Sequence, residues 1–562
     1  MIGGYFYAMS SITFSALAGR FSASALLGGL SRCLTSPWAI ILAVALAFLL
    51  NAHSLPLSDV DEGAFSEATR EMLARGNLVS PTLNGEARHD KPILIYWLQA
   101  AAVYVLGVDE FSFRLPSILA ALAWVVVLYR FVARQEEQST AVVSVLAMVL
   151  SLQVGFVAKA AIADALLNLF ICLALFAIYD LFLAGRKGLG TTAIRRQQCL
   201  IYLALGLGFL TKGPVAVFLP LVIGSLFFIS AGAWREALRT AFFLPGWVIF
   251  LSIVLPWHVM VFLDQGDAFF RGFYLQHNLN RYASTFEGHG GNPFYYLLVL
   301  PLVLMPFSGW LLAIAGRLLA GLKRADEAAL FERFLMCWFA VVLVFFSFSR
   351  TQLPHYLLYG CTPLFILLAR HRQIDKQRLL AFLPVVLWGL LLAALPWIFE
   401  RLAGHLTRPL EIILLDGLTA AFARPASWLL ALFALLVLAI SVWRRLPVWQ
   451  GLVLIGLLQA GLVFGVIAPC VLSVTQGPVR DAGELARSMG EPVLAYKFNQ
   501  PSFSVYRQAI TPARVPGAGE LVITRRDRLD SLAQEVAPLG VTEVYQRGFV
   551  SLLRVGESIA HE

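Results

Sequence analysis

The chain has 562 residues, of which 59% are hydrophobic and 14% charged, against roughly 25% charged in an ordinary soluble domain. That gap excludes a soluble globular protein and makes this a membrane protein. A net charge of +9 would suggest a nucleic-acid partner in a soluble chain, but here the basic residues cluster in short loops between apolar runs, so the partners expected are membrane lipids and no nucleic acid. Six cysteines (Cys33, Cys172, Cys199, Cys337, Cys361, Cys470) lie mostly inside apolar runs with no C-x-x-C, which indicates neither a disulfide framework nor a zinc ribbon.

In chain order, residues 1–35 are rich in Ser, Ala and Gly, carry Arg20 and Arg32, and lack a convincing cleavage site, so they read as a cytoplasmic lead-in. Apolar runs then recur along residues 36–475: Ala39–Leu50, Ala165–Phe182, Phe242–Phe262, Phe334–Phe346, Leu379–Phe399 and Trp428–Val442. Bounded by charges, each is near the roughly 20 residues that span a bilayer as helix. Ile93–Leu106, about 14 residues, is short for a span and suits an interfacial or buried helix.

With that segment left outside, the loops 130–138, 185–197, 232–240, 317–333, 370–378 and 444–449 fall inside and hold 18 Lys and Arg in 63 residues. The outer loops hold 13 in about 135 residues, so the positive-inside rule supports this orientation and would be violated by its inverse. The result is about thirteen spans, an odd number, which puts the tail outside. Residues 476–562 read as a small α/β domain there, with strands at Pro492–Ala495 and Gly519–Thr524, a helix at Ser531–Ala537 and two strands within Val541–Val555.

Several polar residues are not explained by spanning a membrane. Residues 55–114 open with L-S-D-V-D-E-G, and Val60, Ala64, Phe65, Ala68, Met72 and Leu73 form a helical stripe that Gly76 stops, predicting a helix along the membrane surface. Two readings of Asp61 are open: Ser58 and Asp61 make an S-x-x-D capping box, or Asp61 and Glu62 stand at the bilayer boundary for chemistry or binding. The same loop ends E-A-R-H-D-K-P, placing Arg88, His89, Asp90 and Lys91 before an aromatic-bearing helix, which is either an interfacial anchor or a binding group. Asp164 stands alone at an outer span end, as a helix-terminal acid or a site residue. Lys212 in L-T-K-G-P reads by itself as a snorkelling lysine. Arg271, His277 and Arg281 share another outer loop, and Arg350, His355, Tyr356 and Tyr359 a third. Cations gathered at outer span ends call for anionic partners, of which phosphates are the obvious ones.

These groups resemble the C-type membrane glycosyltransferases related to protein O-mannosyltransferases, and most closely the undecaprenyl-phosphate aminoarabinose transferases of lipid A. The matching stretches are D-E at Asp61 and Glu62, D-K-P-x-x-x-Y-W from Asp90 to Trp97, E-F-x-x-R-L-P-S from Glu110 to Ser117, the lone Asp164, and T-K-G-P from Thr211 to Pro214. They continue with H-N-x-x-R from His277 to Arg281, L-P-H-Y from Leu353 to Tyr356, and F-N-Q-P-S-F-S-V-Y in the tail.

The resemblance implies an α-helical polytopic glycosyltransferase of the bacterial inner membrane, with site and tail facing the periplasm. It would move 4-amino-4-deoxy-L-arabinose from an undecaprenyl-phosphate donor to lipid A, giving resistance to cationic antimicrobial peptides such as polymyxin. It implies a catalytic Asp61, a second essential acid in Asp164, and a carrier phosphate and sugar held by Lys91, Arg281 and Tyr356 with Glu62, Arg88 and Lys212. A divalent metal, zinc or magnesium, would sit near Asp90 and His277, although the family's glutamate before the lysine is here Asp90. Transfer of mannose or another sugar to protein or another lipid is the alternative within the class. A secondary transporter is the alternative outside it, opposed by the absence of repeats and by ionisable residues at span edges instead of the midplane.

Overall fold

The computed structural model describes residues 23–280, 292–321 and 326–556, without the side chains of 23–27 and 276–280. The protein is a multi-pass helical bundle with a small sheet at its C-terminal end. Among the described residues, six helices are long and apolar enough to cross a membrane, and ten candidates result if each of four bent pairs counts as one span. The thirteen spans expected from the sequence exceed that count. Three of the expected positions hold helices outside it: Thr191–Lys212, the 16-residue Val215–Ser230 and the 9-residue Thr362–Arg370. Leu94–Leu106 has 13 residues, too short to span.

Burial sorts the helices. In Asp164–Arg186 the most apolar window is 83% buried, in Leu244–Gln265 only 28%. The first is the central helix of the bundle. The second turns Leu244, Val248, Leu251, Leu255, Val259 and Leu263 outward, a surface that only a lipid phase makes inexpensive. Around the central helix, Tyr179, Phe182, Phe227, Phe331 and Phe334 pack ring against ring. Trp338, from the neighbouring helix Glu327–Ser347, donates its indole N–H to the Tyr359 carbonyl at 2.7 Å. A 70° bend between Gln138–Val149 and Leu152–Lys159 redirects the chain just before Asp164.

Among the described residues the tail carries four of six strands, counting β1 (Thr82–Leu83) and β2 (Glu86–Ala87) in the first outer segment. They are β3 (Val493–Ala495), β4 (Leu521–Arg525), β5 (Val541–Arg547) and β6 (Val550–Val555), in the order β3-β4-β6-β5. The pair β3–β4 is parallel and the other two are antiparallel. Helices Gly477–Met489 and Leu529–Glu535 complete an α/β unit.

Helix Asp61–Arg75 does bury Ala64, Phe65, Ala68 and Met72, but it also buries Glu62, Ser66, Glu67, Thr69, Arg70 and Glu71. Its polar side is therefore packed against protein and not left wet. The helix is wedged between the bundle and the tail, whose short helix Ser502–Arg507 rests on it.

Much of the buried polar side of this wedge is paired internally, although the Ser66 hydroxyl and one Glu71 oxygen have no partner among the described residues. Arg70 forks onto Glu67 at 2.6 and 2.7 Å, and Thr69 donates to Gln99 at 2.8 Å. The close approach requires Gly63: a Cβ there would stand 1.9 Å from an Asp59 oxygen and 2.6 Å from the Ser502 nitrogen. Asp59 accepts from both the backbone N–H (3.0 Å) and the hydroxyl of Ser502.

Candidate active site

The start of helix Asp61–Arg75 decides between the two readings of Asp61. Its N-cap position is Val60, and no side chain caps it. The Ser58–Asp61 box does not form, because the Ser58 backbone N–H is spent on Glu62 Oε2 at 2.9 Å. Glu62 is buried and its remaining capacity is taken as well. Arg114 Nε and Nη2 each donate to it at 2.9 Å, and the Ala161 N–H donates at 2.8 Å.

Arg114, the arginine of the E-F-x-x-R stretch, also donates to the carbonyls of Ala52, Leu55 and Pro56. Paired and fully hydrogen-bonded, this ion pair meets the condition under which buried charges are tolerated. Glu62 was expected to bind substrate; with its oxygens committed to the protein, it fixes the corner that presents its neighbour.

That neighbour, Asp61, is exposed. It lines a cavity of about 510 Å³ together with Asp59, Glu62, Lys159 and His355. A carboxylate free of capping duty at the mouth of a cavity can meet a substrate.

The second corner is closed. Asp164 opens the central helix and is buried; its Oδ1 accepts from Lys212 Nζ at 2.8 Å and from the Tyr359 hydroxyl at 2.5 Å. Lys212 Nζ also donates to Tyr359 at 2.8 Å, so three chain-distant residues form one triangle. The snorkelling reading of Lys212 is thereby corrected: only 11% of its side chain is exposed. Gly213 permits the turn that follows, with φ +77°, and a Cβ there would stand 2.4 Å from the Phe273 ring.

The third element is the end of the first outer segment. Arg88 donates to the Tyr96 hydroxyl at 3.0 Å, pairs with Asp90 at 3.1 Å and lies over the Phe65 ring at 5.4 Å. Lys91 Nζ donates to the Asp90 carbonyl at 3.1 Å.

The three elements form one site. His355 stands 3.8 Å from Asp164 and within electrostatic reach of Lys212, Asp61 and Lys91, while Arg88 is within reach of Asp61. The Lys212 ammonium lies 5.3 Å from the centre of the Tyr356 ring. Arg281 and the side chain of His277 fall outside the described residues.

The described residues include no group of three or more His, Cys, Asp or Glu that could hold a metal. Asp90 spends a carboxylate oxygen on Arg88.

Sequence reasoning gave no role to Tyr359, Arg114 or Lys159. Tyr359 had a signal: Pro354–Gly360 is a 3₁₀ turn, in which residues three apart share a face, so Tyr356 already pointed to it. The partners of Arg114 are carbonyls and one acid some fifty residues upstream, which spacing does not reveal.

A family model described as dolichyl-phosphate-mannose-protein mannosyltransferase matches residues 90–260. An uncharacterised protein of Aquifex aeolicus is 30% identical over 321 residues, covering 57% of this chain and 69% of that one. An undecaprenyl phosphate-alpha-4-amino-4-deoxy-L-arabinose arabinosyl transferase of Photorhabdus laumondii is 27% identical over 447 residues, covering 74% of this chain and 77% of that one. The crystal structure of ArnT from Cupriavidus metallidurans bound to undecaprenyl phosphate shares the fold, with a TM-score of 0.75 and 18% identity over 92% of this chain and 97% of that one.

Proposed function

The chain belongs to the C-type membrane glycosyltransferases, and from that premise we propose that it moves 4-amino-4-deoxy-L-arabinose from undecaprenyl phosphate to a phosphate of lipid A. The reaction takes place at the periplasmic face of the bacterial inner membrane. The observation that carries this reading is the exposed carboxylate of Asp61 on a cavity wall, beside the cations Arg88 and Lys91 and the closed Asp164 triangle.

In the reaction an acceptor phosphate oxygen forms a bond to the anomeric carbon while the bond from that carbon to the carrier phosphate breaks. The transition state is oxocarbenium-like, as in glycosyl transfer generally. The leaving phosphate gathers negative charge, and cations already aimed at it act where that charge develops. Lys91, Arg281 and Tyr356 are assigned that task.

The acceptor phosphate, with a second pKa of roughly 6 by analogy with phosphorylated side chains, is largely ionised and needs no base. Asp61 is then free to hold the ammonium of the sugar. Adding an amine to a lipid A phosphate reduces the negative charge that attracts cationic peptides, which is the resistance the activity would confer.

Mass spectrometry of lipid A from cells with and without the gene tests the reading. The expected result is an increment of one aminoarabinose that disappears with the gene; an unchanged lipid A spectrum overturns it. Orientation is tested separately. A reporter active only in the cytoplasm, fused after Glu562, is expected to be silent, and activity there would overturn the periplasmic placement.

A further inference from the structure

Lys159 has no task in the reaction above. It ends helix Leu152–Lys159 with its side chain buried. Its ammonium donates to the Leu50 carbonyl at 2.7 Å and lies 3.6 Å from the centre of the Phe464 ring. No carboxylate among the described residues is in ion-pair contact with it. A buried ammonium held by one carbonyl and a ring face has donors to spare, and the group that best satisfies it is an anion.

Lys159 lines the same cavity of about 510 Å³ as Asp61 and His355. Phe156, Phe464 and Ala468 stand among the apolar residues that make up most of the remaining wall. The cavity therefore carries charge on part of its wall and is greasy elsewhere, which fits the phosphate end and part of an acyl chain of a lipid. Lys91, Tyr356 and Lys212, on the carrier side of the site, are absent from its walls.

A second hollow of about 410 Å³ shares Asn51 and Leu55 with it and is rimmed by Arg480 and Arg547 of the tail. Both arginines are ion-paired there, Arg480 with Glu110 and Glu484 and Arg547 with Asp481. Transfer from one lipid phosphate to another needs two phosphate sites meeting at one carbon, and Asp61 and His355 stand where the two sides meet.

We infer that this cavity is the acceptor subsite, in which Lys159 binds the phosphomonoester of an acylated acceptor lipid on the side of Asp61 away from the carrier phosphate. The assignment rests on the transferase reading. It makes Lys159 a binding residue for the acceptor only.

The test uses the full chain in proteoliposomes, with initial rates measured against lipid A at saturating donor and against donor at saturating lipid A. Lys159→Gln is expected to raise the acceptor KM about tenfold to a hundredfold, the scale of one lost charge-assisted hydrogen bond, and to leave donor KM unchanged. Lys159→Arg is expected to recover most of that loss. Ala468→Phe, which fills the apolar end and leaves every charge in place, is expected to raise the acceptor KM as well.

A rise in donor KM, or a fall in kcat with both KM values unchanged, overturns the assignment. If Lys159→Gln does not accumulate, an unchanged acceptor KM in Ala468→Phe overturns it. Inorganic phosphate competing with lipid A as strongly as a second acylated phosphomonoester does would make this a free-anion site and overturn its lipid part. Wild-type protein that transfers no sugar to lipid A sinks the transferase reading itself; a working wild type with normal acceptor KM in the variants sinks only the subsite.

Discussion

The two acids of the site are built in opposite ways, and the contrast separates structural charge from available charge. Asp164 is buried and answered by Lys212 and Tyr359, with His355 close by. Asp61 is exposed, makes no cap, and is held in place by the commitments of its neighbour Glu62. The closed corner sets the geometry where three distant segments meet. The open corner has a charge left to offer a substrate.

The largest effect expected from this contrast is at Asp61. Asp61→Asn removes the charge with little change of shape, and the most it forfeits in stability is a helix-dipole contribution of about 0.3–1 kcal/mol. Transfer to lipid A should fall by roughly 10²–10³-fold, the scale of losing one preorganised electrostatic contact in a catalytic site. Protein level and thermal midpoint should stay near wild type, with Asp59→Asn as the neighbouring control. Near-normal transfer at equal expression would break the comparison and move the essential acid to Asp164.

At the closed corner the expected loss is first of stability. Removing one partner of a buried pair costs about 3–5 kcal/mol, and the side chains of Asp164 and Lys212 are only 5% and 11% exposed. Lys212→Met should therefore lower the thermal midpoint sharply in detergent. Asp164→Asn with Lys212→Met should recover much of that loss without recovering transfer. A double variant as unstable as the single one would show that the pair is not a unit.

The wedge between bundle and tail offers a smaller effect. Gly63→Ala puts a methyl group against Asp59 and the Ser502 backbone, an overpacking of about 1–3 kcal/mol. It should loosen the tail and make the chain after Thr475 the first site of limited proteolysis. Wild-type protection in that variant would mean the tail is held elsewhere.

The smallest effect is a pH dependence at the same contact. Burial pushes the Asp59 carboxyl from 3.8 up to about 7. A raised folded-state pKa means that the released chain binds fewer protons between those values, so the contact weakens as pH rises through about 7. The tail should be more protease-resistant at about pH 6 than at about pH 8, and Asp59→Asn should flatten that difference. An unchanged slope in the variant would remove Asp59 as its origin.

The sequence by itself determined the class of protein, the strands of the tail and the residue types of the site, because hydrophobic runs, charge bias and short-period patterns are local properties of a chain. It also marked Leu94–Leu106 as too short to span and gathered most of the polar residues into three groups. It could not show that Asp61, Lys91, Asp164 and Lys212 converge on His355, that Ser58 does not cap the helix, or that the first outer helix is buried on its polar side by the tail. Each of these depends on contacts across more than a hundred residues or on a competition for one N–H, as between Ser58 and Glu62. Tertiary structure alone decided which of two similar acids is neutralised, because the charge of a carboxylate is set by what folds against it.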